Sequence, residues 1–106
     1  MFGGMDMGRL MKQAQEMQRK MERVKEDLKD RVVDASAGGA VVVHFNGAQE
    51  MLDITIQPEV LREDPAVVQD LVVAAVNEGL RKAKALAEQE MGKVAGGLGG
   101  LPGLGL

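Results

Sequence analysis

The sequence has no cysteine, no tryptophan and no tyrosine, and its only aromatic residues are Phe2 and Phe45. Without cysteine there is no disulfide framework and no thiolate chemistry, a pattern that suits a reducing compartment. Without a series of aromatics there is no stacking platform for unpaired bases. A core must be built from Val, Leu, Ile, Ala and Met, each of which buries less area than an aromatic ring. In a chain of 106 residues that allows a thin two-layer core, and such chains often complete their burial by oligomerising. Histidine, serine and threonine occur once each, as His44, Ser36 and Thr55. A nucleophilic triad would have to join Ser36 to His44. The expected strand register sets Ser36 near Val41, three residues from His44. That is about 10 Å at 3.4 Å per residue, too far for a nucleophile–base hydrogen bond. A lone histidine does not make a metal site, and Gly38-Gly39 has neither the length nor the lysine of a phosphate loop. The chain therefore reads as a non-enzyme, with no catalytic residue, no cofactor and no metal. No apolar run approaches the roughly 20 residues that span a bilayer, and no basic segment followed by an apolar run opens the chain, so neither a membrane span nor a signal peptide is expected.

The net charge is −3 and the isoelectric point about 5.1, which is not the basic footprint usual for a nucleic-acid binder. The charge is unevenly spread. Residues 1–31 hold eight Lys/Arg against six Asp/Glu, whereas residues 32–106 hold five against ten. A mildly basic N-terminal segment thus precedes an acidic body.

Within the basic segment Met7, Leu10, Ala14, Met17, Met21, Val24 and Leu28 are spaced alternately three and four apart. This is the a/d seam of an amphipathic helix, with Arg, Lys, Glu and Gln at nearly all other positions. Asp6 is a plausible N-cap. The seam is too narrow to be buried on two sides, so much of the helix should project or pair with another helix. Its methionines fill space flexibly and specify a partner poorly.

Three β-branched runs follow, at residues 32–37, 41–45 and 48–57. Asn46-Gly47 predicts a two-residue type I′ hairpin, pairing Phe45 with Ala48, Val43 with Glu50 and Val41 with Leu52. Leu52, Ile54 and Ile56 then share one face. A three-residue loop at residues 38–40 places Val33 and Ala35 on the face of Val43 and Phe45. A two-residue loop would instead bury Asp34 and Ser36, so the longer, bulged loop is preferred. In this register Val32, Val42 and Met51 form an apolar patch on the opposite face.

Pro58 ends the third strand, and Asp64-Pro65 supplies an N-cap and first-turn proline for a second helix running to about Met91. Residues 71–76 are apolar nearly all round and should be deeply buried. Ala75, Gly79, Ala83 and Ala87 recur every fourth residue. That small-residue stripe fits either helix-on-sheet packing or a close helix–helix contact across a dimer. From residue 93 the chain is rich in Gly and Leu and is expected to be a flexible tail, with Leu98, Leu101, Leu104 and Leu106 available to a partner or to another protomer. The architecture is thus α+β, an α-β-β-β-α two-layer subunit with an antiparallel three-stranded meander, organised as a domain of residues 1–92 and a tail of residues 93–106.

Several segments together resemble the YbaB/EbfC family. They are the helix MGRLMKQAQEMQRKMERVKEDL at residues 7–28, SAGG at 36–39, the Asn46-Gly47 hairpin, PEVL at 58–61, DLVVAAVNEGLRKA at 70–83, and the MGK-to-GG-Leu-Pro-Gly ending at 91–103. The likeness runs in order over almost the whole chain. Val76 departs from it, standing where many relatives carry an aromatic, which affects core volume. The resemblance implies a tight homodimer with projecting, tweezer-like helices, a cytoplasmic and nucleoid-associated role, and duplex DNA as partner. It leaves recombination or replication proteins open as further partners. DNA-contacting candidates are Arg9, Lys12, Arg19, Lys20, Arg23 and Lys25 on the first helix and Arg81, Lys82 and Lys84 on the second. A solvated, salt-bridged helix face is the alternative use of these charges, since Glu16, Glu22 and Glu26 lie among them. A dimeric adaptor that grips a protein with the Met-rich helix and the tail is the alternative function.

Overall fold

The computed structural model describes residues 2–96, with side-chain environments from Asp6 onward. Helix α1 (Phe2–Leu28) leads into strands β1 (Val32–Ala37), β2 (Val41–Asn46) and β3 (Met51–Ile56), a 3₁₀ turn at Val60–Arg62, and helix α2 (Pro65–Gly96). The strands form one antiparallel sheet in the order β1-β2-β3. The α-β-β-β-α order is the one expected. Asp6 is not a cap, because α1 already begins at Phe2. Pro65 opens α2 as expected, and the helix runs on past Met91 through Gly92 to Gly96. The remainder of the expected tail, residues 97–106, lies outside the described residues.

The core is one layer of α2 against β1 and β2. Ala35, Val41, Val43, Phe45, Ala75 and Ala83 are buried together, with Val33, Ile56, Leu71, Val72 and Val76 packed around them. Ala37 pairs with Val41 and Ala35 with Val43, so the three-residue loop holds. Gly38 and Gly39 have φ of 58° and 73°, and Ala40 N–H donates to the Ala37 carbonyl. The positive φ at two successive residues that a type I′ turn requires is therefore met here and not at Asn46-Gly47. The small-residue stripe of α2 packs on the sheet. Residues 71–76 are not buried all round, since Val73 is 57% exposed and Ala75 alone is fully covered. A single sheet layer shields only one side of a helix.

The second hairpin departs from the expected register. Asn46 N–H donates to the Glu50 carbonyl and Gln49 N–H to the Asn46 carbonyl, closing a three-residue loop at Gly47, Ala48 and Gln49. Gln49 takes the positive φ, at 67°. The Asn46 side chain donates to Glu50 Oε1 at 2.8 Å and accepts the Glu50 N–H at 3.0 Å. Asparagine is thus used for its amide and not for a left-handed backbone. Gly47 is needed for clearance. A Cβ there would lie 2.6 Å from Leu28 Cδ2 and 2.8 Å from the Leu28 carbonyl oxygen. Its N–H bonds to the carbonyls of Leu28 and Arg31, tying the hairpin to the end of α1. Further along, His44 faces Asp53 while Phe45 faces Met51, so Leu52 is the extra residue of a bulge. Ile54 and Ile56 consequently sit opposite Val43 and Val41. The apolar patch of Val32, Val42 and Met51 does not form. Met51 is across from Phe45, and Thr55 and Ser36 flank Val42.

Helix α1 leaves this body. Leu28 is its only buried residue among those whose side chains are described; Met17, Met21 and Val24 are half-buried, whereas Met7, Leu10 and Met11 are exposed. The radius of gyration is 20.7 Å and the longest extent 75 Å, against about 13 Å for a compact domain of 100 residues. The projecting helix expected from the narrow seam accounts for this elongation.

Candidate nucleic-acid interface

A run of good helix formers, Ala, Gln, Glu, Lys, Arg and Met, keeps α1 helical without a sheet beneath it. At ~100° per residue, Arg9, Lys12, Arg19, Lys20 and Arg23 fall in an arc of ~100° on the side away from the seam. All five are exposed. Among the described residues none of them has an acidic partner within 4.0 Å. Glu16 and Asp27 share the arc, so it is cationic but not uniformly so. The arm carries this arc away from the acidic body.

The other four candidates do not join it. Lys25 points to the opposite side, where with Lys29 it rims a cleft of about 410 Å³ floored by Leu28, Ala48, Ala87 and Met91. Lys82 donates to the Asp34 carbonyl of β1 at 2.9 Å, so it fastens α2 to the sheet. Arg81 is ion-paired with Glu78 one turn earlier. Lys84 is exposed and outside the ion pairs of the described residues. The structure thus brings together five of the nine.

One feature at the base of the arm has no local sequence signal. Arg31 lies 3.7 Å from Glu90, and Lys93 lies 2.8 Å from the same carboxylate. The Glu90 side chain is only 18% exposed. The hydrogen bond from Lys93, aided by the charges of Lys93 and Arg31, holds its carboxyl below the usual value despite partial desolvation. This pair joins residues far apart in the chain, which periodicity does not reveal.

On the sheet face away from α2, His44 Nδ1 is 2.7 Å from Asp53 Oδ1, and Asp34 is its partner on β1. Ser36 pairs with Val42, not Val41. It is two residues from His44 along the strand, about 7 Å, which is still beyond hydrogen-bond reach. Among the described residues no group of three His, Cys, Asp or Glu is placed to hold a metal ion, and no helix is long and apolar enough to cross a membrane.

A family model, the YbaB/EbfC DNA-binding family, matches residues 2–98. A nucleoid-associated protein of Acetivibrio thermocellus is 54% identical over 105 residues, covering 97% of this chain and 92% of that protein. One of Ruminiclostridium cellulolyticum is 50% identical over 105 residues, covering 97% and 90%. An uncharacterized protein of Helicobacter pylori, known from its crystal structure, superimposes with a TM-score of 0.72 at 27% identity over 90% of this chain and 98% of the other. With a match across the arm, the meander and the second helix, the chain belongs to the YbaB/EbfC DNA-binding family.

Proposed function

We propose that this chain binds duplex DNA as a homodimer in the cytoplasmic nucleoid, chiefly through phosphate contacts from its projecting α1 helices. The observation that carries this reading is the arc of Arg9, Lys12, Arg19, Lys20 and Arg23, exposed and without ion-pair partners among the described residues on a helix that leaves the body. Long cationic side chains in that setting suit phosphates, which position a protein on DNA without specifying sequence. The names of the relatives, nucleoid-associated proteins, agree with this role. Lys84 and Lys25 can add to the field but stand apart from the arc, and Lys82 and Arg81 are engaged within the fold.

The dimer is supported by an uncovered apolar edge. Helix α2 covers β1 and β2. Ile54 on the same face of β3 is left 37% exposed, with Met51 at 47% and Leu52 at 51% beside it. Lys82 marks the β1 side of α2. The helical phase then turns Val73 and Leu80, 57% and 40% exposed, toward the β3 side. A second copy laid on this edge would complete the thin core, and each dimer would present two basic arms.

A mobility-shift series with duplex DNA tests the function. Affinity is expected to fall steeply between about 50 and about 200 mM salt as counterions return to the phosphates. Salt-insensitive binding, or none at low salt, favours a second reading in which a dimeric adaptor grips a protein, such as a recombination or replication factor. The exposure of Met7, Leu10 and Met11, at 62, 56 and 61%, is the observation behind that reading.

A further inference from the structure

Where α1 meets the body, its last turns, the β2–β3 loop and α2 enclose the cleft of about 410 Å³ that Lys25 and Lys29 rim. That volume falls within the usual range of ligand pockets, about 300–1,000 Å³. The floor is apolar. Leu28 is buried there, with Ala87 and Met91 half-buried beside it. The loop wall is held in place, because the Gly47 N–H bonds to the carbonyls of Leu28 and Arg31. Among the described residues that line the cleft none is acidic, and the two charged ones are Lys25 and Lys29, both exposed. Lys25 has no acidic partner within 4.0 Å among the described residues. Lys29 lies 3.2 Å from Glu26, but both side chains are exposed, and such a pair is weak and readily exchanged.

Two cations one helical turn apart, ~6 Å between their Cβ atoms, thus stand over an apolar floor. The phosphate ridge of duplex DNA brings no apolar group to fill that floor, and the basic arc lies on another side of α1. A fatty acid brings one carboxylate to two lysines. An extended peptide matches both features. Its side chains at alternate positions share a face and recur every ~6.6 Å, so carboxylates at i and i+2 meet both lysines. An apolar side chain on the same face then reaches the floor, where Met91 adapts to its shape.

We propose that this cleft binds an acidic peptide segment of a partner protein, with two alternate carboxylates on Lys25 and Lys29 and an apolar anchor on Leu28, Ala87 and Met91. Lys25 then serves a protein and not DNA. The proposal stands independently of the DNA reading. It also differs from a grip by the exposed methionines of the arm, since it uses the arm's base.

The probe is a fluorescently labelled peptide, Gly-Asp-Ser-Asp-Ser-Phe-Gly, titrated against the full chain at low salt. Lys25→Ala/Lys29→Ala is expected to bind it at least about tenfold more weakly, as two charge-assisted hydrogen bonds are lost. The same loss is expected when Asn replaces both Asp residues of the peptide or Ser replaces its Phe. Amide shifts on binding should move at Gly47, Ala48, Gln49, Ala87 and Met91 and stay fixed at Arg19 and Arg23. The two readings fail separately: Arg19→Glu/Arg23→Glu should lose duplex DNA and keep the peptide, whereas the lysine variant should do the reverse. The proposal is overturned if the peptide does not bind at millimolar concentration, or if the lysine variant or the altered peptides bind as tightly as the parent pair. Displacement by decanoate or duplex DNA as effective as by unlabelled peptide would overturn it too, by giving the cleft to a lipid or to DNA.

Discussion

At Gly79 helix α2 lies close against the sheet: a Cβ there would be 2.6 Å from the Phe45 ring and 2.7 Å from Val43 Cγ2. The glycine lets the helix backbone settle on one of the two aromatic rings in the chain. Its cost in helix propensity, about 1 kcal/mol, is offset by the burial it allows. Gly79→Leu is expected to lower stability by about 1–3 kcal/mol through overpacking, with Gly79→Ala in the same direction and smaller. Thermal melts check this, and a variant that melts at or above the parent temperature would show that α2 can lift off Phe45 at no cost.

A second expectation concerns assembly. If the edge formed by β3 and the flank of α2 pairs two copies, the parent should scatter light as a dimer at micromolar concentration. Leu80→Glu, at a 40% exposed position, should shift the mass to that of a monomer. It is not one of the buried core residues, so circular dichroism should retain the α+β signal. A dimer that persists in the variant places the interface elsewhere.

The base of the arm should respond to acid. Glu90 has a lowered folded-state pKa, from its hydrogen bond with Lys93 and the charges of Lys93 and Arg31. A depressed carboxylate stabilises the fold fully above its unfolded value, near 4.5, and loses that contribution as pH falls through the folded value. The parent should therefore melt above Glu90→Gln at pH 7, with the gap closing below about pH 4.5. A gap independent of pH would mean that packing, not charge, holds the two helices together there.

Much of this fold was legible because periodicity reports burial. The three–four spacing of Met7 to Leu28 marked the arm, Asp64-Pro65 marked the start of α2, and the preference for burying Ala35 over Asp34 selected the correct first hairpin. Asn46-Gly47 misled because neither residue takes the left-handed backbone of a type I′ turn. Gly47 clears Leu28, and the Asn46 amide closes the loop through Glu50. The register therefore slid, and with it the expected patch of Val32, Val42 and Met51. The run at 71–76 misled because an apolar helix can show one flank to solvent when a partner surface is wanting. The interface was half legible. Charge placed nine cations on two helices, but which are free depends on contacts such as Lys82 with the Asp34 carbonyl, across 48 residues of sequence.

That distinction gives the sharpest test of DNA binding. Arg19 and Arg23 lie one turn apart within the arc, both exposed. Reversing both to Glu changes the local charge by four units per arm and by eight per dimer, and sets repulsion where the phosphates would lie. Binding of duplex at low salt is expected to be lost. The melting temperature should scarcely move, since surface substitutions usually stay within about 0.5 kcal/mol. Lys82→Ala should behave in the opposite way. Its ammonium is committed to β1, so binding should stay near the parent level while stability falls slightly. With only two aromatics and no tryptophan or tyrosine, duplex should be preferred over single strands. Preference among duplex sequences should be slight, because phosphate contacts carry no base information. A parallel loss of slope in the salt dependence should accompany single substitutions, about one unit of log–log slope for each phosphate contact removed. If the Arg19→Glu/Arg23→Glu variant binds duplex as tightly as the parent at low salt, the arc is a solvated helix face and the DNA contacts belong to another surface of the molecule.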